Sequence, residues 1–142
     1  MRKTSDALDA GQDNKRAEEE FLAQNKSKEH VVTLPSGLQY KIIKGGNGKK
    51  ATAEETVEVN NRGTLVNGTQ FESTYDANQP ATIEVSDSHV IAGLREALKL
   101  MPVGAKWQLV IPSRLAYGQR AAGKLIGPYS MLIYELELLA IK

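Results

Sequence analysis

Residues that usually carry acid–base, nucleophilic or metal chemistry are sparse and scattered in this sequence. It contains two histidines and no cysteine. His30 and His89 stand far apart, and neither has a histidine or cysteine neighbour with which to form a metal site. We expect both imidazoles to be solvated or to cap a helix end. Ser113 and Ser130 lack the strand–turn–helix context that activates a serine nucleophile.

In a phosphate-binding loop, glycines at fixed spacing follow a strand and open a helix. The glycines near residue 46 do not have this arrangement. The sequence therefore predicts no metal, no cofactor and no nucleotide site. Apolar and phenolic side chains remain as the material for a pocket. Such a pocket suits a reaction without proton transfer or a covalent intermediate. Rotation about an Xaa-Pro amide is one example, because its barrier of about 18 to 20 kcal/mol comes from resonance.

Composition limits the partners of the chain. Its 142 residues include 18 basic and 17 acidic side chains, for a formal net charge of +1. That balance gives no field strong enough to gather nucleic acid or an anionic membrane. No apolar stretch reaches the roughly 18 to 20 residues of a membrane-spanning helix. Residues 1–15 lack the apolar segment of a signal peptide, although a signal removed by processing stays open.

Residues 1–30 differ in character from the rest of the chain. They are rich in charge, and Leu8, Phe21 and Leu22 are their only large apolar side chains. Good helix formers with a thin apolar stripe predict a solvated helix over residues 5–28. A partly frayed tail is the alternative, because an isolated polar helix gains little from packing. We interpret residues 1–30 as an arm, the end of a longer connecting helix, and residues 31–142 as one domain.

Short alternating runs separated by Gly, Pro and Asn predict an antiparallel sheet in that domain. Asn67 and Gly68 are expected to form a two-residue hairpin turn. Trp107 alternates with its strand neighbours and is therefore expected in a strand. The predicted strands cover residues 38–43, 57–61, 69–73, 82–85, 107–111 and 131–141.

Apolar residues at helical spacing predict one amphipathic helix, from Val90 to Met101. Residues 86–88 offer capping side chains at its start, and Pro102 ends it. A long loop over residues 113–128 surrounds Tyr117. The predicted fold class is therefore α+β, with short antiparallel strands, one helix covering the sheet and a helical arm.

Several motifs follow one another in a characteristic order along the domain. They are Leu34-Pro35-Ser36-Gly37-Leu38-Gln39-Tyr40, Arg62-Gly63-Thr64-Leu65, Asn67-Gly68, Phe71, Val90-Ile91-Ala92-Gly93, Met101-Pro102-Val103-Gly104, Ala116-Tyr117-Gly118 and Tyr134-Glu135-Leu136-Glu137-Leu138-Leu139. Together they resemble the FKBP-type peptidyl-prolyl cis-trans isomerases across residues 31–142. Residues 21–33 are further similar to the macrophage-infectivity-potentiator (Mip-like) bacterial subgroup, in which a long helix joins a dimerisation module to the isomerase domain.

The resemblance implies a half-barrel sheet of five or six strands around the helix, with the substrate proline in an aromatic pocket. Phe71 would form one wall beside Val90. The backbone N–H of Ile91 and the hydroxyl of Tyr117 would hold substrate carbonyls. Leu125 and Ile126 would overhang the site.

The same resemblance implies partners and a setting. The partners would be polypeptides with exposed Xaa-Pro bonds, macrolide inhibitors, and a second copy bound through helical segments outside this sequence. The setting would be bacterial, periplasmic or membrane-associated, although some relatives are cytoplasmic.

Five pocket positions depart from the family pattern. Leu94 replaces the usual floor tryptophan, and the loss of aromatic stacking is worth about 0.5 to 1.5 kcal/mol. Asn61 replaces a tyrosine and should point inward. The longer side chain of Glu72, which replaces an aspartate, is expected to break its link to neighbouring hydroxyls. Ala81 and Tyr134 each replace a phenylalanine.

These departures predict lower turnover on an unchanged fold. They also leave open a second reading, in which the domain is a non-catalytic peptide-binding or chaperone module. Trp107 is not expected to serve as the pocket floor.

Overall fold

The computed structural model describes residues 3–120, 122 and 125–142. A long helix, α1 (Lys3–Lys26), precedes the sheet. Two further helices, α2 (Thr74–Ala77) and α3 (Ala92–Leu100), and a 3-10 turn (Ser113–Leu115) lie between strands. The strands are β1 (Val31–Thr33), β2 (Gln39–Lys44), β3 (Thr56–Leu65), β4 (Gln70–Ser73), β5 (Ala81–Glu84), β6 (Lys106–Ile111) and β7 (Leu132–Ile141).

All strand pairs in the sheet are antiparallel. The order is β1-β2-β6-β7-β3-β4, and β5 pairs with β3 beside β4. The sheet is open, with β1 at one edge. The predicted α+β class with a helical arm is confirmed. The predicted strand number was too low by one, because β1 has only three residues and no buried side chain to produce an alternating pattern.

The core lies between α3 and the inner face of the sheet. Gly93 lets the helix approach β6 closely, because a Cβ there would lie 2.6 Å from Cγ2 of Ile111. The inward residues of the long strands alternate with partly exposed ones, as a half-buried sheet requires. The fully buried side chains include Val57, Val59, Leu98, Leu109, Ile111, Leu132, Leu136 and Leu138.

The turn between β3 and β4 differs from the predicted two-residue hairpin. The N–H of Gly68 donates to the carbonyl of Leu65 at 2.9 Å, and the N–H of Leu65 donates to the carbonyl of Thr69 at 2.9 Å. Three residues, 66–68, therefore lie between Leu65 and Thr69, the last hydrogen-bonded pair of the two strands. Of the two predicted turn residues, only Gly68 has positive φ, at 91°. A turn that ends on a left-handed glycine explains the extra residue.

Helix α3 starts without the predicted cap from residues 86–88. Its N-cap is Ile91, which makes no side-chain hydrogen bond. Asp87 instead accepts from the backbone N–H of His89 at 2.9 Å. The imidazole of His89 is 94% exposed and that of His30 is 74% exposed, so the prediction that both are solvated is confirmed.

The arm is helical, so the frayed-tail alternative is wrong. Its predicted solvation is also wrong for one face, which contacts the domain through polar groups. Asn14 Nδ2 donates to the carbonyl of Pro128 at 2.8 Å, and Asn25 Nδ2 donates to Oε1 of Gln39 at 2.8 Å. The arm was predicted to be solvated because its apolar stripe is thin. Hydrogen bonds hold this face against the domain instead. Among the described residues, no helix is long and apolar enough to cross a membrane.

Candidate active site

Two aromatic rings meet above a glycine at the β4 side of the inner face. The rings of Phe71 and Tyr134 are 5.7 Å apart, edge to face, with an interplanar angle of 82°. A Cβ at Gly63 would lie 2.6 Å from Cζ of Phe71 and 3.0 Å from Cζ of Tyr134. Only a glycine in β3 therefore leaves room for this pair. A lone glycine within an alternating strand signals such close approach, and sequence reasoning did not use it.

Glu72 and Tyr134 are joined across the same strands. Both are register partners of Gly63, one in β4 and the other in β7. The hydroxyl of Tyr134 donates to Oε2 of Glu72 at 3.2 Å. The expectation that Glu72 loses its hydroxyl partner is therefore wrong, because the tyrosine at position 134 supplies one. Burial, followed by the charge of Glu72 and the neighbouring phenol of Tyr117, raises the pKa of Tyr134.

Tyr117 lies on the loop after the 3-10 turn, and its side chain is 39% exposed. The loop is fixed by its backbone, since the carbonyl of Ser113 accepts the N–H groups of Ala116 at 2.9 Å and Gly118 at 2.7 Å. Gly118 has φ of 63°, a conformation that favours glycine. Backbone hydrogen bonds thus hold the residues on both sides of Tyr117, while Tyr117 itself stays accessible.

Ile91 and Leu94 stand at the start of α3 and are 8% and 6% exposed. Val90 is half-buried and packs against the same cluster. Among the residues that the structure describes, no acceptor is found for the backbone N–H of Ile91. Leu94 contributes branched aliphatic surface and no flat ring.

Asn61 is buried in β3, with 2% of its surface exposed, as its alternation predicted. Its Oδ1 has no hydrogen-bond partner within the described part of the chain. Its backbone N–H donates to Oγ1 of Thr74 at 2.7 Å, and that hydroxyl donates to Oδ1 of Asn60 at 2.9 Å. Thr74, at the start of α2, was missed because a four-residue helix has no detectable period. Ala81 is half-buried and pairs with Val59.

The loop that was predicted to overhang the site is described at residues 122 and 125–130. Ala122 and Ile126 exchange two backbone hydrogen bonds, at 2.8 and 3.3 Å. Ile126 is 7% exposed and belongs to the core cluster, whereas Leu125 is 51% exposed. Of these two loop residues, Leu125 offers an apolar surface to a ligand and Ile126 anchors the loop.

The structure brings Phe71, Glu72 and Tyr134 together. The phenol of Tyr117 is near enough to help raise the pKa of Tyr134. Ile91, Leu94 and Ile126 lie in the adjoining core, with Val90 packed on it. Trp107 is in β6 as predicted, stacked on Tyr40 with centroids 4.2 Å apart. The arrangement offers apolar walls, one phenol and a backbone donor. It can desolvate and hold a carbonyl-bearing ligand. The binding roles of these residues stay predictions.

Comparison with known proteins identifies the class. Residues 47–139 match the family model described as FKBP-type peptidyl-prolyl cis-trans isomerase, and residues 1–42 match the domain amino-terminal to such isomerases. The first match covers more than half of the chain. The chain therefore belongs to the FKBP-type peptidyl-prolyl isomerase family.

Its relatives include the Mip group that the sequence resembles. It is 50% identical over 135 residues to the Outer membrane protein MIP of Legionella longbeachae, covering 91% of this chain and 57% of that protein. It is 46% identical over 121 residues to the FKBP-type 22 kDa isomerase of Escherichia coli, covering 85% of this chain and 58% of that protein. The chain thus spans about half the length of the curated relatives it matches.

Solved structures agree with this placement. FkpA from Escherichia coli superposes with a TM-score of 0.91 at 32% identity, covering 98% of this chain and 64% of that chain. A peptidyl-prolyl isomerase from Pseudomonas syringae superposes with a TM-score of 0.84 at 39% identity, covering 92% and 95%.

Proposed function

We propose that the chain is a peptidyl-prolyl cis-trans isomerase that acts on exposed Xaa-Pro bonds of folding polypeptides. One observation carries the proposal. Phe71 from β4 packs edge to face on Tyr134. The phenol of Tyr117, on a separate loop, is near enough to Tyr134 to help raise the pKa of that residue. An apolar wall and an accessible phenol are what a prolyl ring and its flanking carbonyl require. Family membership supports the same activity.

The proposed reaction needs no acid, base or covalent step. Phe71, Val90 and the exposed Leu125 would take the prolyl ring out of water. The N–H of Ile91 and the hydroxyl of Tyr117 would hold substrate carbonyls. Removing water from the imide favours the twisted state, because that state has lost the charge separation of amide resonance.

We propose further that turnover is slow. Leu94 offers no planar surface on which a proline could stack, and aromatic packing contributes about 0.5 to 1.5 kcal/mol beyond burial. The pair of Glu72 and Tyr134 keeps a carboxylate–hydroxyl link beside the site. We therefore attribute the slow turnover mainly to the floor at position 94, while Phe71 keeps the wall position of the family.

Asn61 favours a second candidate, a peptide-binding or chaperone module without catalysis. Its Oδ1 is buried, with no partner among the described residues, at a position where the family has a tyrosine. Titration with a macrolide that fills the family pocket separates the readings. Micromolar or tighter binding supports an intact site, and no binding supports the module.

The activity itself is tested by a protease-free refolding assay whose slow phase is proline isomerisation. We expect acceleration at micromolar protein, and a several-fold loss for Tyr117→Phe. Tyr75→Phe is a matched control, because Tyr75 is 37% exposed, close to the 39% of Tyr117, and faces Glu137 instead. No acceleration by the unchanged chain would rule out catalysis.

A restoration experiment locates the cause of slow turnover. Leu94→Trp supplies the missing floor and should raise the rate if the remaining pocket works. Leu100→Trp, at the half-buried end of the same helix, controls for adding an indole to α3. A gain in both variants, or in neither, would contradict the proposed role of position 94.

We also propose the wider organisation that the resemblance implies. Residues 1–30 form the arm and residues 31–142 the isomerase domain, and dimerisation proceeds through further helical segments. An envelope setting is supported by one relative's name as an outer membrane protein. Sedimentation of the chain against a longer protein that includes such segments tests the dimer.

A further inference from the structure

One face of the arm contacts the loop region that carries Tyr117. Gly11, Asn14, Lys15 and Glu18 follow the spacing of a single helix face. All four contact residues between 113 and 129. None of these four residues has a large apolar side chain.

Glu18 makes the most direct contact. Its Oε1 accepts a hydrogen bond from the backbone N–H of Ser113, and its Oε2 accepts from the Ser113 hydroxyl at 3.2 Å. Ser113 is 4% exposed, so the carboxylate reaches a buried part of the domain. Both oxygens of one carboxylate are thus used on one residue. Charge-assisted bonds of this kind are stronger than neutral ones.

Ser113 also closes the turn that contains Tyr117. Its carbonyl accepts the N–H groups of Ala116 and Gly118, on either side of Tyr117, at 2.9 and 2.7 Å. The peptide groups that flank Ser113 are therefore held on one side by the arm and on the other by the turn. A shift of Glu18 would move the turn with it.

A second connection reaches the same turn through Tyr129. Its N–H donates to the carbonyl of Gly118 at 2.8 Å. Its ring lies 3.4 Å from the place of a Cβ on Gly11 and 4.6 Å from Nζ of Lys15. Tyr129 has φ of 54°, which a non-glycine residue adopts only when its surroundings hold it there. The arm therefore contacts both residues that hydrogen-bond the turn, Ser113 and Tyr129.

We propose that Glu18 is a positioning residue for the isomerase site, which acts through Ser113 to place the Tyr117 hydroxyl. The inference rests on the proposed function for its effect on catalysis. Glu18 touches no substrate. Through the contact of Glu18 with Ser113, the geometry of the Tyr117 turn depends on the position of the arm on the domain.

The test compares Glu18→Ala and Glu18→Gln with Glu19→Gln, an exposed neighbour on the same helix. Glu18→Ala removes both acceptors, and we expect kcat/KM on a short Xaa-Pro peptide to fall about three- to ten-fold through misplacement of Tyr117. Glu18→Gln keeps an oxygen for the Ser113 N–H and should recover part of the loss. Glu19→Gln should equal the unchanged chain.

Amide exchange separates this inference from the proposed function. We expect faster exchange at Gly118 and shifted Tyr117 resonances in Glu18→Ala, with unchanged exchange in β7. If the chain has no isomerase activity but shows those changes, the link between Glu18 and the Tyr117 turn is supported and only the proposed function is refuted. An active chain whose Glu18→Ala variant keeps its kcat/KM and its Gly118 exchange would overturn the inference.

Two further outcomes are decisive. An effect of Glu19→Gln as large as that of Glu18→Ala would overturn the inference, because general charge loss would then explain both. Should Glu18→Ala fail to fold, Ser113→Ala replaces it. That variant loses only the hydroxyl bond to Oε2, and we expect a smaller loss of kcat/KM that disappears when Glu18→Gln is already present.

Discussion

The arm–domain contact and the domain core hold the molecule together by different means. In the core, α3 and the inner face of the sheet pack apolar side chains at 0 to 8% exposure. At the arm, the contacts include amide and carboxylate hydrogen bonds, such as those of Asn14, Glu18 and Asn25, and the ring of Tyr129 against Gly11 and Lys15. Apolar burial contributes roughly in proportion to area and has no direction. Hydrogen bonds contribute about 0.5 to 1.5 kcal/mol each and fix geometry.

The stability of the domain and the position of the arm on it therefore depend on different contacts. The core determines whether the domain folds, and the polar face determines where the arm lies on it. Substitutions in the two regions should therefore differ in size and in the property they change.

The largest effect is expected in the core. Leu98 on α3 has 0% exposure, and Leu98→Ala should lower the free energy of unfolding by about 2 to 5 kcal/mol, from lost burial and the cavity left behind. Urea denaturation followed by circular dichroism measures it. Ile43→Ala, at a residue 52% exposed, should stay within about 0.5 kcal/mol. Equal effects at the two positions would mean that α3 does not form the core.

Gly63 tests the packing of the candidate wall. In Gly63→Ala the new methyl group would lie 2.6 Å from Cζ of Phe71, so the ring must move, at a cost of about 1 to 3 kcal/mol. Near-ultraviolet circular dichroism should report the displaced aromatic pair. Gly45→Ala is the control, because nothing lies within 4 Å of its Cβ position. An unchanged melting temperature and aromatic signal in Gly63→Ala would refute the close contact.

Sequence patterns anticipated the core because its signal is periodic. Val57, Val59 and Asn61 alternate with partly exposed residues in β3, so their inward direction was readable from type and spacing alone. The arm face was not readable, since Asn14 and Glu18 look like solvated residues when only hydrophobicity is scored. Their partners are backbone groups at Pro128 and Ser113, about a hundred residues away, which no local pattern reveals.

The candidate site shows the same limit. Phe71 and Tyr117 were predicted by resemblance, whereas the physical link between Glu72 and Tyr134 was not. Each of those two residues, taken singly, departs from the family and looked like a loss. Together they form a hydrogen bond, because their strands place them on either side of Gly63. Pairwise compensation of this kind requires the strand register, which the sequence did not supply.

A smaller loss is expected where the polar interface is buried. Asn25→Ala removes the donor to Oε1 of Gln39, which is 2% exposed, and leaves that acceptor unpaired at a cost of about 1 to 2 kcal/mol. Gln24→Ala, on the exposed side of the helix, is the matched control. Thermal unfolding measures both. If Asn25→Ala matches its control, this contact contributes nothing and the separation of roles fails at the arm.

Asn61 predicts a change of opposite sign. Its unpaired Oδ1 is a cost that a leucine would not carry, so Asn61→Leu should raise the free energy of unfolding by up to about 1 kcal/mol. Its backbone bond to Thr74 does not depend on the side chain. Asn60→Leu is the contrasting variant, because Oδ1 of Asn60 accepts from the Thr74 hydroxyl. We expect that variant to be destabilised, and equal signs for the two would contradict the assignment.

The smallest effect concerns the outer face of the sheet, where polar groups are only half-covered. Burial, then the hydrogen bond and charge of Glu137, raises the pKa of Tyr75 to about 12 from its ordinary value of 10.0. The fold thus favours the neutral phenol. That contribution to stability is complete below pH 10 and is lost as the pH rises through about 12.

Tyr75→Phe removes the titrating group and should make the unfolding midpoint less sensitive to pH across that window. Phenolate absorbance, taken as the difference between the unchanged chain and the variant, should show one tyrosine titrating near pH 12. Because Tyr75 is 37% exposed, solvent screens the interaction and the gain is modest. A difference titration centred at the ordinary tyrosine value would show that the contact with Glu137 does not persist in solution. The hydrogen bond between Tyr75 and Glu137 would then contribute nothing to the free energy of unfolding.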